Sequence, residues 1–315
     1  MGPKRVAFRP LKIVGLREGW IEVMEKMLRD KRAIVLFMAP AMLFFVVLML
    51  VPIIWSTVYS FYEGVVGIEL KFVGFQNYAQ LLQDTKFLES FVNTMEYVLI
   101  VSAGQVVLGL LISLVLYLFI HRQVPLIRTI VFLPMIVPTV AAAQLWSKIY
   151  EIAPQYGLIN SLLMAFGLGQ YATAWLGTSS TALIALCIAD IWKTAGFYSI
   201  VFYGALIDVP NDYVEAARID GARNGRIIWK ILLPMMRPTI VAMIVFSLTS
   251  ALKVYESPYV MTRGGPGTAT QMMAMQMYDT AFSYSKYGYG SSIAVVMVLC
   301  CLLVSVVMMR FDREK

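Results

Sequence analysis

Glu215-Ala216-Ala217-Arg218-Ile219-Asp220-Gly221, followed by Ile231-Leu232-Leu233-Pro234, decides how this chain is read. The stretch is charged and helix-prone, and it lies between two strongly apolar runs, 181–207 and 239–258. As a pattern it is E-A-A-x3-G-x9-I-x-L-P. Pro210-Asn211-Asp212 opens it with residue types that favour helix initiation. Asp212 and Glu215 stand three apart, the spacing of an acidic capping box. Ala216 and Ala217 keep one side of the predicted helix thin, so that another protein can approach closely. Asp220-Gly221 reads as a turn. Ile227, Ile228, Trp229, Ile231 and Leu232 then form a second helical stretch running into Pro234. Composition alone gives an ordinary helix-turn-helix loop with solvated charges. The alternative is a rigid knob, able to transmit force if it inserts into a partner's groove.

Working outward, the 315 residues are 59% hydrophobic and 14% charged. A soluble domain carries about 25% charged residues, so most of this chain faces lipid or other buried helices. A helix needs about 20 mainly apolar residues to cross the hydrocarbon core. Six stretches qualify: 34–60, 94–120, 126–148, 181–207, 239–258 and 290–309. Pro134 and Pro138 interrupt the third, which predicts a kinked helix inside a packed bundle. Lys and Arg fall mainly on one side: nine in 1–33, Arg122 and Arg128 in the next loop, five in 208–238 and three in the tail. Cytoplasmic loops carry this excess, so both termini are predicted to be cytoplasmic. The net charge of +7 is therefore topology, not nucleic-acid binding. The predicted layout is a cytoplasmic segment 1–33, a six-span domain 34–309 with a loop at about 208–238, and a cytoplasmic tail 310–315.

The remaining segments constrain function by what they hold. Trp20, Val23, Met24, Met27 and Leu28 follow a helical spacing among charges, which fits an interfacial amphipathic helix or a strut packed on the bundle. Residues 61–93 and 149–180 read as polar-aromatic loops, with Leu158, Ile159, Leu162 and Leu163 on one face of a short helix. Tyr278, Phe282, Tyr284, Tyr287 and Tyr289 approach the last span as an aromatic belt. Cys187, Cys300 and Cys301 lie in apolar runs, and His121 is the single histidine. No catalytic constellation and no metal-ligand spacing emerges. No G-x4-G-K-[ST] is present either, so the chain lacks its own ATP-binding loop.

Further motifs accompany the loop. They are Ala39-Pro40 and Pro52 in span one, Asn93-Thr94 before span two, Pro134 with Pro138 in span three, Gly157-Leu158-Ile159-Asn160, and Asp190-Ile191-Trp192-Lys193. Thr262-Arg263-Gly264-Gly265-Pro266 and Tyr287-Gly288-Tyr289-Gly290 complete the series. In this order they resemble the sugar-type, MalF-like permeases of bacterial ABC importers, within the binding-protein-dependent transport permease superfamily. The large outer insertion of the maltose permease is missing, which is more like the compact oligosaccharide and sugar-derivative permeases. The resemblance implies an all-α integral membrane protein with six transmembrane helices, the type I importer fold and a cytoplasmic coupling helix. It further implies a second, distinct six-span permease, two cytoplasmic subunits that bind ATP and Mg, and an extracytoplasmic solute-binding protein. By the same resemblance Glu215, Ala216, Ala217, Asp220 and Gly221 dock into an ATPase groove, and no cofactor sits in this chain itself.

Ionisable residues inside a membrane are costly and face a cavity or a partner. Span four carries Asp190 and Lys193, three apart on one helix face, and the reading here is an internal salt bridge. Span five carries Lys253 and Glu256 with the same spacing, beside Thr249, Ser250, Tyr255 and Ser257. Polar groups next to an aromatic ring suit a sugar, and the span-five pair fits either a solute contact or mutual neutralisation. Importers of other polar solutes (a sugar acid, glycerol phosphate, an amino acid) remain an alternative. An ion-coupled carrier is a second; such carriers show inverted repeats and broken helices, and neither stands out in this sequence.

Overall fold

The computed structural model describes residues 31–65, 69–120, 123–152 and 154–313. The amphipathic stretch expected over residues 20–28, and His121, lie outside the described residues. The chain divides into two units, Met1–Ser56 and Thr57–Lys315. The first contains most of the opening helix, in which α1 (Lys31–Phe45) continues through a π-helical turn (Val46–Leu50) into α2 (Val51–Tyr59). Neither the turn nor α2 has a buried residue, and their side chains are almost all apolar.

The second unit begins with a small antiparallel hairpin, β1 (Tyr62–Val65) and β2 (Glu69–Phe72), in register Tyr62 to Phe72. It lies in a stretch read from sequence as loop. Gly64, at φ +117, and the paired rings of Tyr62 and Phe72 account for it. After α3 (Gln76–Leu81) comes α4 (Thr85–Phe119), whose 35 residues span about 52 Å at 1.5 Å each. Asp84 caps it, its Oδ1 accepting from the N–H groups of Lys86 (3.0 Å) and Phe87 (3.4 Å). The helix turns small and polar side chains inward (Ser90, Thr94, Ser102, Gly109, Ser113) and leaves Leu99, Val107, Leu111 and Val115 exposed. That inversion suits lipid, where close backbone approach through small residues drives helix association.

The chief neighbour of α4 is α8 (Ser179–Ile207). A Cβ on Gly109 would come within 2.5 Å of the Tyr198 Cβ, and one on Gly196 within 2.0 Å of the Val131 carbonyl oxygen. Between them run α5 (Val124–Ile136), α6 (Thr139–Ile149) and the short α7 (Leu158–Ala165). The kinked third span expected over 126–148 is instead two helices meeting at 96°. Val137 precedes Pro138, a position pushed out of the α region, and it is extended at φ −66°, ψ 130°.

Beyond α8 lie α9 (Asn211–Ile219), α10 (Asn224–Ile227), a π-helical turn (Ile228–Leu232), α11 (Leu233–Met235) and α12 (Arg237–Ala251). The arm Asn224–Met235 meets α12 at 71°, where Pro238 has no N–H to offer the preceding turn. The fifth span expected over 239–258 stops at Ala251; α13 (Glu256–Met261) restarts after a break. The restart places Pro258 in a first helical turn, where its missing N–H costs nothing. Then follow α14 (Met273–Tyr278), a π-helical turn (Asp279–Ser283) and α15 (Tyr287–Arg313).

Among the described residues four helices are long and apolar enough to cross a membrane, and up to six spans result if each bent pair counts as one. The buried side chains of these residues gather in two clusters. One surrounds Tyr97, Val101, Leu186, Met273 and Ile293, and the other surrounds Leu114, Leu118, Phe202, Leu206 and Leu232. They occupy successive stretches of α4 and α8.

Candidate functional site

The segment 208–238 is built as a short helix closed by a turn. Pro210 stands at the N-cap of α9 and no side chain caps the helix. The capping box expected from Asp212 and Glu215 therefore does not form, because Pro210 shifts the helix start and leaves Asp212 inside the first turn. There its carboxylate still faces the positive end of the helix dipole. At the other end Gly221 adopts φ +77° and donates to Arg218 O (3.0 Å), while Ala222 donates to Ala217 O (2.9 Å). These are the paired bonds of a Schellman cap. A Cβ at Gly221 would meet nothing within 4 Å, so backbone conformation, not space, calls for glycine.

Val214, Ile227 and Leu232 are buried and fasten this segment to the cluster that holds Leu114, Leu118 and Leu206. Glu215, Ala216, Asp220 and Gly221 are exposed, and Ala217 is half-buried. Tyr213, Ile219 and Trp229 are exposed beside them, at 57%, 86% and 73%. Large apolar side chains on a charged segment were the available sign of a contact face, and Tyr213 was not singled out from sequence.

A cavity of about 430 Å³ lies between α4, α5, α6, α8, α12 and α13. Ser250, Lys253, Tyr255, Glu256 and Ser257 all line it, as do Asp190 and Lys193. Thr249 does not; its hydroxyl turns back to Val245 O at 2.8 Å. The salt bridge expected between Asp190 and Lys193 is replaced by bonds to hydroxyls. Asp190 Oδ2 accepts from Tyr97 and from Ser257, each at 2.6 Å, and Lys193 Nζ donates to Thr139 Oγ1 at 2.5 Å. Lys253 and Glu256 are exposed and likewise form no ion pair with each other; among the described residues Lys148 and Glu151 do pair, at 2.9 Å. Tyr97, Gln105, Thr139, Thr194 and Tyr198 complete the polar lining, and Gln105 Oε1 accepts from Ser247 Oγ at 2.7 Å. A glutamine within an apolar run is a visible sign. Tyr97 and Thr139 carry no such sign, since both types are ordinary in spans.

Tyr255 begins a row of rings. It stacks on Tyr259 (5.2 Å between centroids, 15° between planes) and touches Tyr278 (5.3 Å), which meets Phe282 (5.2 Å). Beyond α13 the Gly-Gly-Pro loop is pinned to the start of α4. Asn93 Nδ2 donates to Thr268 O (2.7 Å) and Gln271 O (3.2 Å), and Thr94 Oγ1 accepts from the N–H of Met273 (2.9 Å). Asn160, fully buried, organises the preceding loop: it donates to Glu151 O and Thr173 O and accepts from Trp175 Nε1 at 2.9 Å. Beside that loop the Tyr150 phenol donates to Ala185 O at 3.0 Å, and burial pushes its pKa well above the ordinary value.

Known proteins resemble this chain along most of its length. The sulfoquinovosyl glycerol transport system permease protein SmoG of Agrobacterium fabrum is 32% identical over 290 residues, 91% of this chain and 92% of its own. The trehalose/maltose transport system permease protein MalF of Thermococcus litoralis is 31% identical over 290 residues, 91% and 96%. The fold matches a chain of a bacterial alginate ABC transporter, solved in complex with its alginate pentasaccharide-bound periplasmic protein. That match has a TM-score of 0.77 at 22% identity and covers 92% of this chain and 96% of that one. Two bent helix pairs, a trait expected of ion-coupled carriers, are thus compatible with the importer fold. Residues 105–315 match the family model of the binding-protein-dependent transport system inner membrane component, and the chain belongs to that family.

Proposed function

We propose that this chain is one of two different six-span permease subunits of an ATP-driven importer and lines half of the path for a sugar or oligosaccharide. The observation that carries this reading is the exposed, Schellman-capped α9 segment, fastened through Val214, Ile227 and Leu232 to the same two helices, α4 and α8, that wall the cavity. A push on that segment has a packed route to the solute path. Glu215, Ala216, Ala217, Asp220 and Gly221 form its contact with one of two ATPase subunits, which bind ATP and Mg. Closure of the ATPase pair then rocks the two permeases between inward-facing and outward-facing states, a bistable element biased from both ends. An extracytoplasmic binding protein delivers the solute. The chain lies in the bacterial cytoplasmic membrane with 1–33, 208–238 and the tail in the cytoplasm, as the positive-inside rule directs.

Hydroxyls, an amide and charged groups line the cavity together with the Tyr255 ring, so hydrogen-bonding groups and an aromatic side chain are available in one place, which suits a saccharide. Names among the relatives point the same way. A sugar acid, glycerol phosphate or amino acid is the alternative solute. A mild-detergent pull-down of tagged chain, with mass spectrometry and an ATPase assay, tests the assembly. Recovery of an ATPase and a second six-span chain supports it, and the accompanying binding protein is then screened for its sugar. A chain that purifies alone and transports in proteoliposomes on an ion gradient overturns it.

A further inference from the structure

Residues 252–255 interrupt the helix after Ala251, and Lys253, Tyr255 and Glu256 face the cavity from there. The backbone bonds in the break are local: Lys253 N–H to Ser250 O and Val254 N–H to Ala251 O, both 3.2 Å. Packing holds it at Leu252, 1% exposed, and at the Tyr255 ring against Tyr278; polar ties to the spans are fewer. Among the described residues, one side-chain hydrogen bond joins 252–257 to a spanning helix, from Ser257 Oγ to Asp190 Oδ2. The same oxygen takes the Tyr97 hydroxyl, and both distances are 2.6 Å, the range of charge-assisted O–H···O⁻ bonds. Tyr97 and Ser257 are buried. Lys193, one turn along, goes to Thr139 and leaves this carboxylate to its hydroxyls.

We propose that Asp190 is a positioning residue of the cavity: by holding Tyr97 of α4 and Ser257 of α13 on one oxygen, it sets where Lys253, Tyr255 and Glu256 meet the solute. The proposal rests on the cavity being the solute path, but its geometric content is separable from transport. Ser250 also lines the cavity, yet it precedes the break. It is held by the ladder of α12 and by the Ser247–Gln105 bond. Its position should not depend on Asp190.

The test uses the assembled transporter in membranes, with Cys187, Cys300 and Cys301 replaced by alanine. A reporter cysteine is introduced as Lys253→Cys or, separately, Ser250→Cys, and labelled with a small cationic methanethiosulfonate. Asp190→Ala should change the labelling rate at 253 by about fivefold or more and that at 250 by less than about twofold, the scale of one lost charged hydrogen bond. Asp190→Asn keeps an acceptor oxygen and should bring 253 back toward the parent rate. Ser257→Ala cuts only the tie to α13, should shift 253 in the same direction, and gives the answer if Asp190→Ala does not accumulate. Unchanged labelling at 253 in these variants, or parallel changes at 250 and 253, overturns the proposal. Failure of the solute-path reading would show elsewhere, as unaltered uptake when Lys253, Tyr255 and Glu256 are each replaced.

Discussion

Tyr289 donates its hydroxyl to Asp84 Oδ2 at 2.6 Å, while Oδ1 of the same carboxylate caps α4. One side chain thus starts the longest helix and fastens the first turn of α15 to it, 205 residues away. Tyr289→Phe removes one bond and should cost about 1–2 kcal/mol. Asp84→Ala loses the cap as well and leaves a phenol unpaired, for about 2–4 kcal/mol. Thermal unfolding in detergent checks both, and the double variant should be little worse than Asp84→Ala, since the two act through one carboxylate.

Asn160 makes its bonds at zero exposure. Asn160→Ala strands Trp175 Nε1 and two carbonyls, a loss of about 2–4 kcal/mol confined to the loop around 149–178. Limited proteolysis should cut there first, with the spans intact.

Gly196 and Gly204 lie on the same helix and should respond oppositely to alanine. At Gly196 a Cβ collides with the Val131 carbonyl, so Gly196→Ala should destabilise by about 3 kcal/mol. At Gly204 nothing stands within 4 Å, so Gly204→Ala should be neutral or gain up to about 1 kcal/mol from helix propensity. Relative melting temperatures of the two variants decide.

Gly221→Leu puts a bulky side chain at φ +77°, with a strain of about 1–2 kcal/mol and no clash. The chain should still reach the membrane, but uptake should fall and ATP hydrolysis should no longer answer to solute. Gly221→Asn, a residue that tolerates this backbone, should retain most coupling. Normal uptake by Gly221→Leu would count against the docking role.

Lys253→Met should raise the KM for the transported solute by about tenfold, the worth of one charge-assisted contact, with membrane levels unchanged. Uptake kinetics identical to the parent would make this lysine structural.

Much of the architecture was legible because lipid imposes a blunt pattern: long apolar runs mark spans, and a charged run between two of them stands out. The boundaries fared less well where proline acted. Pro134 and Pro138 read as a kink, but the constraint that Pro138 places on Val137 breaks the helix at 96°. Lys253 and Glu256 fell at a plausible helical spacing, yet the helix they were assigned to ends at Ala251. The polar partners were hidden for a different reason. Tyr97, Asp190 and Ser257 are 93 and 67 residues apart, and no local spacing foretells which hydroxyl a carboxylate will meet. The short helix and turn at 211–221 were legible in outline, but the N-cap was not, because Pro210 took the place that Asp212 was expected to fill.

The 71° bend at Met236 has a mechanical meaning. Met236 is 1% exposed; its N–H donates to Leu232 O and its carbonyl accepts from Ile240 N–H, so one residue is bonded to both arms of the corner. If the proposed contact at 211–221 takes up a partner's motion, two arms set at this angle work as a bell crank: a thrust along Asn224–Met235 leaves along α12 in a different direction, toward Phe246, Ser250 and Ala251 in the cavity wall.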